Sequence, residues 1–133
     1  MNFVDNPFDE IAPDLYVATL SRVAHSDGLH PAEQEILEQH ALQFGVDLDS
    51  LPEVPEDLSD LPWATRILVY RDVYMLALAD GSASAAEEEY LLELAESMAL
   101  PPETTEAIRG WARDYGILLE RFEELLNSVP AVT

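Results

Sequence analysis

Cysteine, lysine and long apolar runs are all missing from this chain of 133 residues. Because there is no cysteine, disulfides, thiolate metal sites and thiol nucleophiles are excluded. The longest apolar run, around residues 73–79, is far shorter than the roughly 20 residues that a membrane-spanning helix needs. The opening residues, MNFVDNPFDE, contain neither a basic region nor an apolar stretch. We therefore expect a cytoplasmic protein with no direct membrane insertion.

Positive charge is also scarce, because six arginines face 27 aspartates and glutamates and the formal net charge is −21. A surface of this kind repels nucleic acid and anionic lipid, and it attracts cations and basic proteins. We therefore expect no nucleic-acid partner, and a basic protein is one candidate partner. Adaptation to salt or a biased genome would explain the same composition without any functional cause.

Apolar residues recur at helical spacing along almost the whole chain, and no segment alternates as a strand would. We predict an all-α fold, with residues 1–133 forming a single compact bundle of six to seven helices. An acidic segment with three prolines, residues 47–62, is interpreted as a connector that includes at most one short helical turn. The predicted helices cover residues 14–26, 31–44, 62–79, 85–99, 102–113 and 117–127. Helices three and four are predicted to be central.

The two halves of the chain look like copies of one helix pair, residues 14–46 and 63–100. One apolar pattern occurs twice at a displacement of 54 residues, as Ile36, Leu37, His40, Ala41 and Phe44 and again as Tyr90, Leu91, Leu94, Ala95 and Met98. Asp27-Gly28 corresponds to Asp80-Gly81 at a displacement of 53, so the length difference lies in the loop that follows. We expect the two pairs to superpose with Asp27 on Asp80.

Most of the repeated loop has a structural explanation. A glycine just past the end of a helix can adopt the left-handed conformation that closes it. Ser84 and Glu87 have the spacing of a capping box, and the segment His30-Pro31-Ala32-Glu33 is its counterpart in the first half. The aspartates are not explained in this way, because a carboxylate near the carboxyl end of a helix is mildly unfavourable. They either bond to loop amides or bind a ligand.

As ligands, Asp27 with Glu33 and Asp80 with Glu87 would supply oxygen atoms to a cation from two tight interhelical loops. The cation would be calcium, magnesium, manganese or zinc. The loops are not EF-hands, because Leu76 and Leu78 would occupy the first and third ligand positions if Gly81 were the sixth residue. A pseudo-twofold arrangement of the halves would instead gather the four carboxylates into one site.

The segments RVAHSDGLHPAEQEILEQHALQFGVD and LALADGSASAAEEEYLLELAESMALP resemble the two signature segments of the TerB-like family, the all-helical domain of bacterial tellurite-resistance and related stress proteins. The resemblance covers about residues 14–101. It implies a helical bundle, a bacterial cytoplasmic setting, other tellurite-resistance-type proteins as partners, and a metal-chelating role in stress response. Residue by residue, that role falls on Asp27, Glu33, Asp80 and Glu87.

The first copy departs from the family pattern, because it has one residue fewer between Asp-Gly and the glutamate. Glu33 and Glu35 are therefore alternative ligands. His25 and His30 flank the same loop and would make the site softer, whereas His40 lies on the apolar pattern and is interpreted as a packed side chain.

No nucleophile motif or glycine-rich phosphate loop is present, so we predict a protein that is not an enzyme. The alternative function is an acidic helical module for protein–protein interaction, in which the loops are purely structural. A DNA mimic is a weaker alternative, because the acids are scattered over both halves rather than aligned on one face. The sequence predicts no particular oligomeric state.

Overall fold

The structure is a computed structural model that describes residues 7–26, 28–79 and 81–130. Within these ranges the chain is all-helical and contains no strand, which confirms the predicted fold class. The helices are α1 (Pro13–His25), α2 (Pro31–Phe44), α3 (Trp63–Ala77), α4 (Ala85–Ser97) and α5 (Pro102–Asn127). Two short 3-10 turns, Pro7–Glu10 and Leu48–Ser50, precede α1 and follow α2.

The prediction of six to seven helices is wrong, because the described residues form five. The predicted helices at 102–113 and 117–127 are one continuous helix, α5, which runs through Gly116. Glycine in a helix interior costs about 1 kcal/mol relative to alanine, but it keeps its backbone N–H and does not clash as proline would. A single glycine therefore weakens this helix without ending it.

Helix α3 lies at the centre of the bundle. It packs against α1, α2, α4, α5 and the first 3-10 turn, while α4 packs against α1 and α3. The buried side chains of α3 surround most of its circumference, and they are Thr65, Val69, Tyr70, Val73, Tyr74, Leu76 and Ala77. A helix that is apolar on nearly all sides is stable only where other helices cover every side. The central position predicted for this segment is confirmed.

Helix α5 is fixed to the bundle only through its first half. Ile108 and Ala112 are buried, and Arg109 Nε donates a hydrogen bond of 2.9 Å to Tyr70 Oη. The same guanidinium forms an ion pair of 2.8 Å with Glu88 and lies over the ring of Tyr74. Beyond Gly116, every residue from 117 to 130 is exposed. The helix therefore extends past the rest of the described structure.

In the part of the chain that the structure describes, no helix is both long enough and apolar enough to cross a membrane.

Candidate functional site

The predicted site lies at two interhelical loops, one between α1 and α2 and the other between α3 and α4. Gly28 and Gly81 follow the first helix of each pair, with φ angles of 81° and 110°. This left-handed region is strained for residues with a Cβ atom, which explains glycine at both positions. The predicted ligands Asp27 and Asp80 lie outside the described residues.

The two predicted glutamates occupy the same place in their helices. Glu33 is the third residue of α2 and Glu87 is the third residue of α4, and their exposed fractions are 0% and 1%. Glu35, the alternative to Glu33, is exposed to solvent. Glu33, and not Glu35, therefore corresponds to Glu87 in both its burial and its position in the helix.

A complete capping box opens α4, as the sequence predicts. Ser84 Oγ accepts a hydrogen bond of 3.1 Å from the backbone N–H of Glu87, and Glu87 Oε1 accepts one of 2.8 Å from the backbone N–H of Ser84. In α2 the equivalent cap residue is His30, whose side chain makes no capping bond, and Pro31 occupies the first helical position. The two loops are therefore similar in backbone but different in capping.

Replacing Ser84 by alanine is expected to lower the free energy of unfolding by about 1 kcal/mol, because one N–H at the start of α4 loses its acceptor. Urea unfolding followed by circular dichroism measures the change. Ser82 to alanine is the control, since Ser82 is exposed in the same loop. Equal losses for the two variants would show that the capping bond is not the cause.

No metal-binding cluster is found among the described residues, which leave out Asp27 and Asp80, since no three histidine, aspartate or glutamate side chains there are grouped to hold an ion. His25 Nδ1 lies 2.8 Å from the carbonyl oxygen of Ser21, within its own helix. His40 Nδ1 lies 2.9 Å from the carbonyl oxygen of Ile36, and its ring packs against Tyr16 and Phe44. His40 is therefore the packed histidine that the apolar pattern predicts.

Sequence reasoning missed a cleft of about 690 Å³ whose lining includes side chains from α1, α2 and α3. On one side, Tyr16 Oη donates a hydrogen bond of 2.6 Å to Asp72, and Arg71 contacts the same carboxylate at 2.9 Å. Burial raises the pKa of Tyr16 well above its usual range, and the negative charge of Asp72 raises it further. Because Tyr16 and Asp72 are 56 residues apart in the sequence, no local pattern signals the contact.

The fold and the loops define a class of protein: an all-helical bundle in which two helix pairs each carry a left-handed glycine and a buried glutamate. Comparison of the chain with protein-family models, with curated proteins and with solved structures gave no match. Membership of the TerB-like family therefore stays a prediction from the two Asp-Gly segments.

Proposed function

We propose that this chain is a TerB-like, non-enzymatic stress-response protein of the tellurite-resistance type that binds a divalent cation. The ligands would be Asp27 and Glu33 from the first loop and Asp80 and Glu87 from the second. The observation that supports this proposal is the burial of Glu33 and Glu87, each at the third position of a helix that follows a left-handed glycine.

The hydrogen bond from the Ser84 N–H compensates part of the lost hydration of the Glu87 carboxylate, and a bound cation would compensate it further. An ionised carboxylate removed from water costs several kcal/mol unless hydrogen bonds, an opposite charge or a metal compensates. The protein has 27 acids and six arginines, so arginine is scarce as a compensating charge. A divalent cation bound by oxygen atoms from the loops would offset both the burial and the mutual repulsion of the acids.

We also propose that the two helix pairs, α1–α2 and α3–α4, are copies of each other. Both glutamates are third residues of their helices, so the one-residue length difference lies between Gly28 and the start of α2. This correspondence supports equivalent roles for the two loops. We expect α1 and α2 to superpose on α3 and α4 with Asp27 over Asp80.

Thermal unfolding of chelator-stripped protein with added calcium, magnesium, manganese or zinc tests the proposal. A cation that binds only the folded state is expected to stabilise it by about 2.7 kcal/mol at a hundredfold excess over its Kd. Calorimetric titration then gives the stoichiometry, which separates one shared four-carboxylate site from two independent sites. No shift with any of the four cations at millimolar concentration and low salt would refute cation binding.

The most informative variant is Glu87 to glutamine. Glutamine keeps a side-chain oxygen that can accept the 2.8 Å bond from the Ser84 N–H, but it removes the charge. If Glu87 is a ligand, the metal-dependent shift in Tm falls while the metal-free protein keeps its stability. The single change of the exposed Glu53 to glutamine, which also removes one negative charge, is the charge-matched control. Equal loss of the shift in both proteins would indicate a diffuse counterion effect.

A further inference from the structure

From Trp111 onward, α5 carries large apolar side chains that the rest of the described structure covers only in part. The exposed apolar residues of this region are Trp111, Tyr115, Ile117, Leu118, Leu119, Phe122, Leu125, Leu126 and Val129. A helix of a monomeric protein seldom exposes so many large apolar side chains on consecutive turns without a binding role.

Five of these residues follow one another at alternating spacings of four and three, and they form a single stripe along the helix. The α5 stripe consists of Trp111, Tyr115, Leu118, Phe122 and Leu125. This is the a/d pattern with which two helices pair, and it extends over about 21 Å at 1.5 Å per residue. Leu119 and Leu126 lie beside it and widen the apolar face.

The stripe and Leu119 adjoin the face through which α5 enters the core. Ile108 and Ala112 are buried against the bundle, and Tyr115, Leu119 and Phe122 follow them at helical spacing. Helix α3, the principal neighbour of α5, ends at Ala77, so the apolar face of α5 extends beyond the end of α3. In the described structure, no second helix packs on this part of the face.

A preformed groove lies where α3 ends. Met75 and Leu78 face Ala112, Tyr115 and Leu119 across a groove of about 430 Å³. The rings of Trp111 and Tyr115 are stacked beside it, with centroids 5.2 Å apart, and the Arg71 guanidinium lies 5.5 Å from the Trp111 ring. Rigid aromatic side chains next to an apolar groove are typical anchors of protein interfaces.

The charges near the α5 stripe indicate which kind of helix would bind there. The exposed residues from 113 to 130 include Asp114, Glu120, Glu123 and Glu124 against Arg113 and Arg121, and the whole chain has a formal charge of −21. A second copy of the chain, with a net charge of −21 of its own, would be repelled, and an anionic membrane would be repelled in the same way. A basic helix would be attracted to the acids while its apolar side covers the stripe.

We propose that the α5 stripe binds a basic amphipathic helix of a partner protein, at least about 15 residues long to cover the stripe. This inference is independent of cation binding, because the stripe shares no residue with the loops of α1–α2 and α3–α4. Its experiments are done with chelator present, so a failure of the cation proposal leaves them unaffected.

The probe is a synthetic 18-residue peptide of leucine and lysine with leucine at every a and d position. Fluorescence is measured in a Trp63→Phe background, so that Trp111 in the stripe is the only tryptophan. We expect saturable binding of one peptide per chain and a blue shift of the Trp111 emission. Two peptide controls are a scrambled sequence of the same composition and a version with glutamate in place of lysine, and both are expected to bind at least about tenfold more weakly.

The matched protein variants separate the stripe from general acidity. Phe122→Ser with Leu125→Ser changes side chains that are 59% and 67% exposed, so the fold is expected to stay intact, as circular dichroism will show. This variant should bind the peptide at least about tenfold more weakly, while Leu42→Ser with Leu92→Ser, two exposed leucines elsewhere, should bind as wild type.

Three outcomes would overturn the proposal: no binding of the peptide, equal binding by the scrambled peptide, or equal binding by the stripe variant. Sedimentation equilibrium without peptide tests the rival occupant. A dimer that Phe122→Ser with Leu125→Ser dissociates would assign the stripe to a second copy of the chain.

Discussion

Replacing Leu91 by alanine is expected to lower the free energy of unfolding by about 2–5 kcal/mol. Leu91 lies in α4 with 0% of its surface exposed, in the cluster where α4 meets α1 and α3. Alanine would leave a cavity lined by apolar atoms, and the packed helices around it can close only part of that space. Because domains of this size are stable by about 5–15 kcal/mol, the loss is a large fraction of the total.

The neighbouring residue provides the control. Leu92 belongs to the same helix but is 61% exposed, so its replacement by alanine is expected to change the free energy of unfolding by less than about 0.5 kcal/mol. Urea unfolding of both variants, with the same m-value as wild type, gives the comparison. A loss below about 1 kcal/mol for Leu91 would mean that α4 is not packed into the core as described.

The repeated apolar pattern is the part of the fold that sequence predicts best. Tyr90, Leu91, Leu94 and Met98, which define it in the second half, are all buried. The pattern succeeds because each helix buries a face whose spacing is fixed by the helix itself. The pattern predicts helix ends less well, since the predicted gap between residues 113 and 117 is absent and α5 is continuous there.

In the candidate site too, contacts between residues close in sequence are predictable and contacts between distant residues are not. The capping bond between Ser84 and Glu87 is predictable, because both residues belong to the same turn of chain. The contact of Tyr16 with Asp72 is not predictable, because it depends on how α1 packs against α3. The α5 stripe is predictable only in part. Its spacing can be read from the sequence, but its exposure depends on where α3 ends, which only the structure shows.

Buried tyrosines make the stability of the protein sensitive to high pH. Burial raises the pKa of Tyr90 from 10.0 to about 12, and the nearby Arg22 opposes only part of that increase. Burial also raises the pKa of Tyr16 and of Tyr70, the latter against the opposing effect of the hydrogen bond from Arg109. All three hydroxyl groups therefore stay protonated in the folded protein at a pH at which unfolded chains begin to ionise.

The sign of the effect follows from this difference. Below pH 10 the tyrosines are neutral in both states, and the full stability is present. Between pH 10 and pH 12 the unfolded state loses protons and the folded state retains them, so the free energy of unfolding falls as pH rises. For Tyr90 alone, a difference of two pKa units corresponds to a loss of about 2.7 kcal/mol, to which Tyr16 and Tyr70 add.

Replacing Tyr90 by phenylalanine is expected to produce two opposite changes. At pH 7 the variant loses the hydrogen bond of 3.2 Å from Tyr90 Oη to the carbonyl oxygen of Thr19, which costs about 1 kcal/mol. Between pH 10 and pH 12 it loses less stability than wild type, because one of the three hydroxyl groups that keep their protons in the folded state is gone. Urea unfolding at a series of pH values, with the ultraviolet absorbance of tyrosinate followed in parallel, measures both changes. Curves that stay parallel from pH 7 to pH 12 would show that Tyr90 ionises equally in both states and that its burial does not cause the alkaline loss.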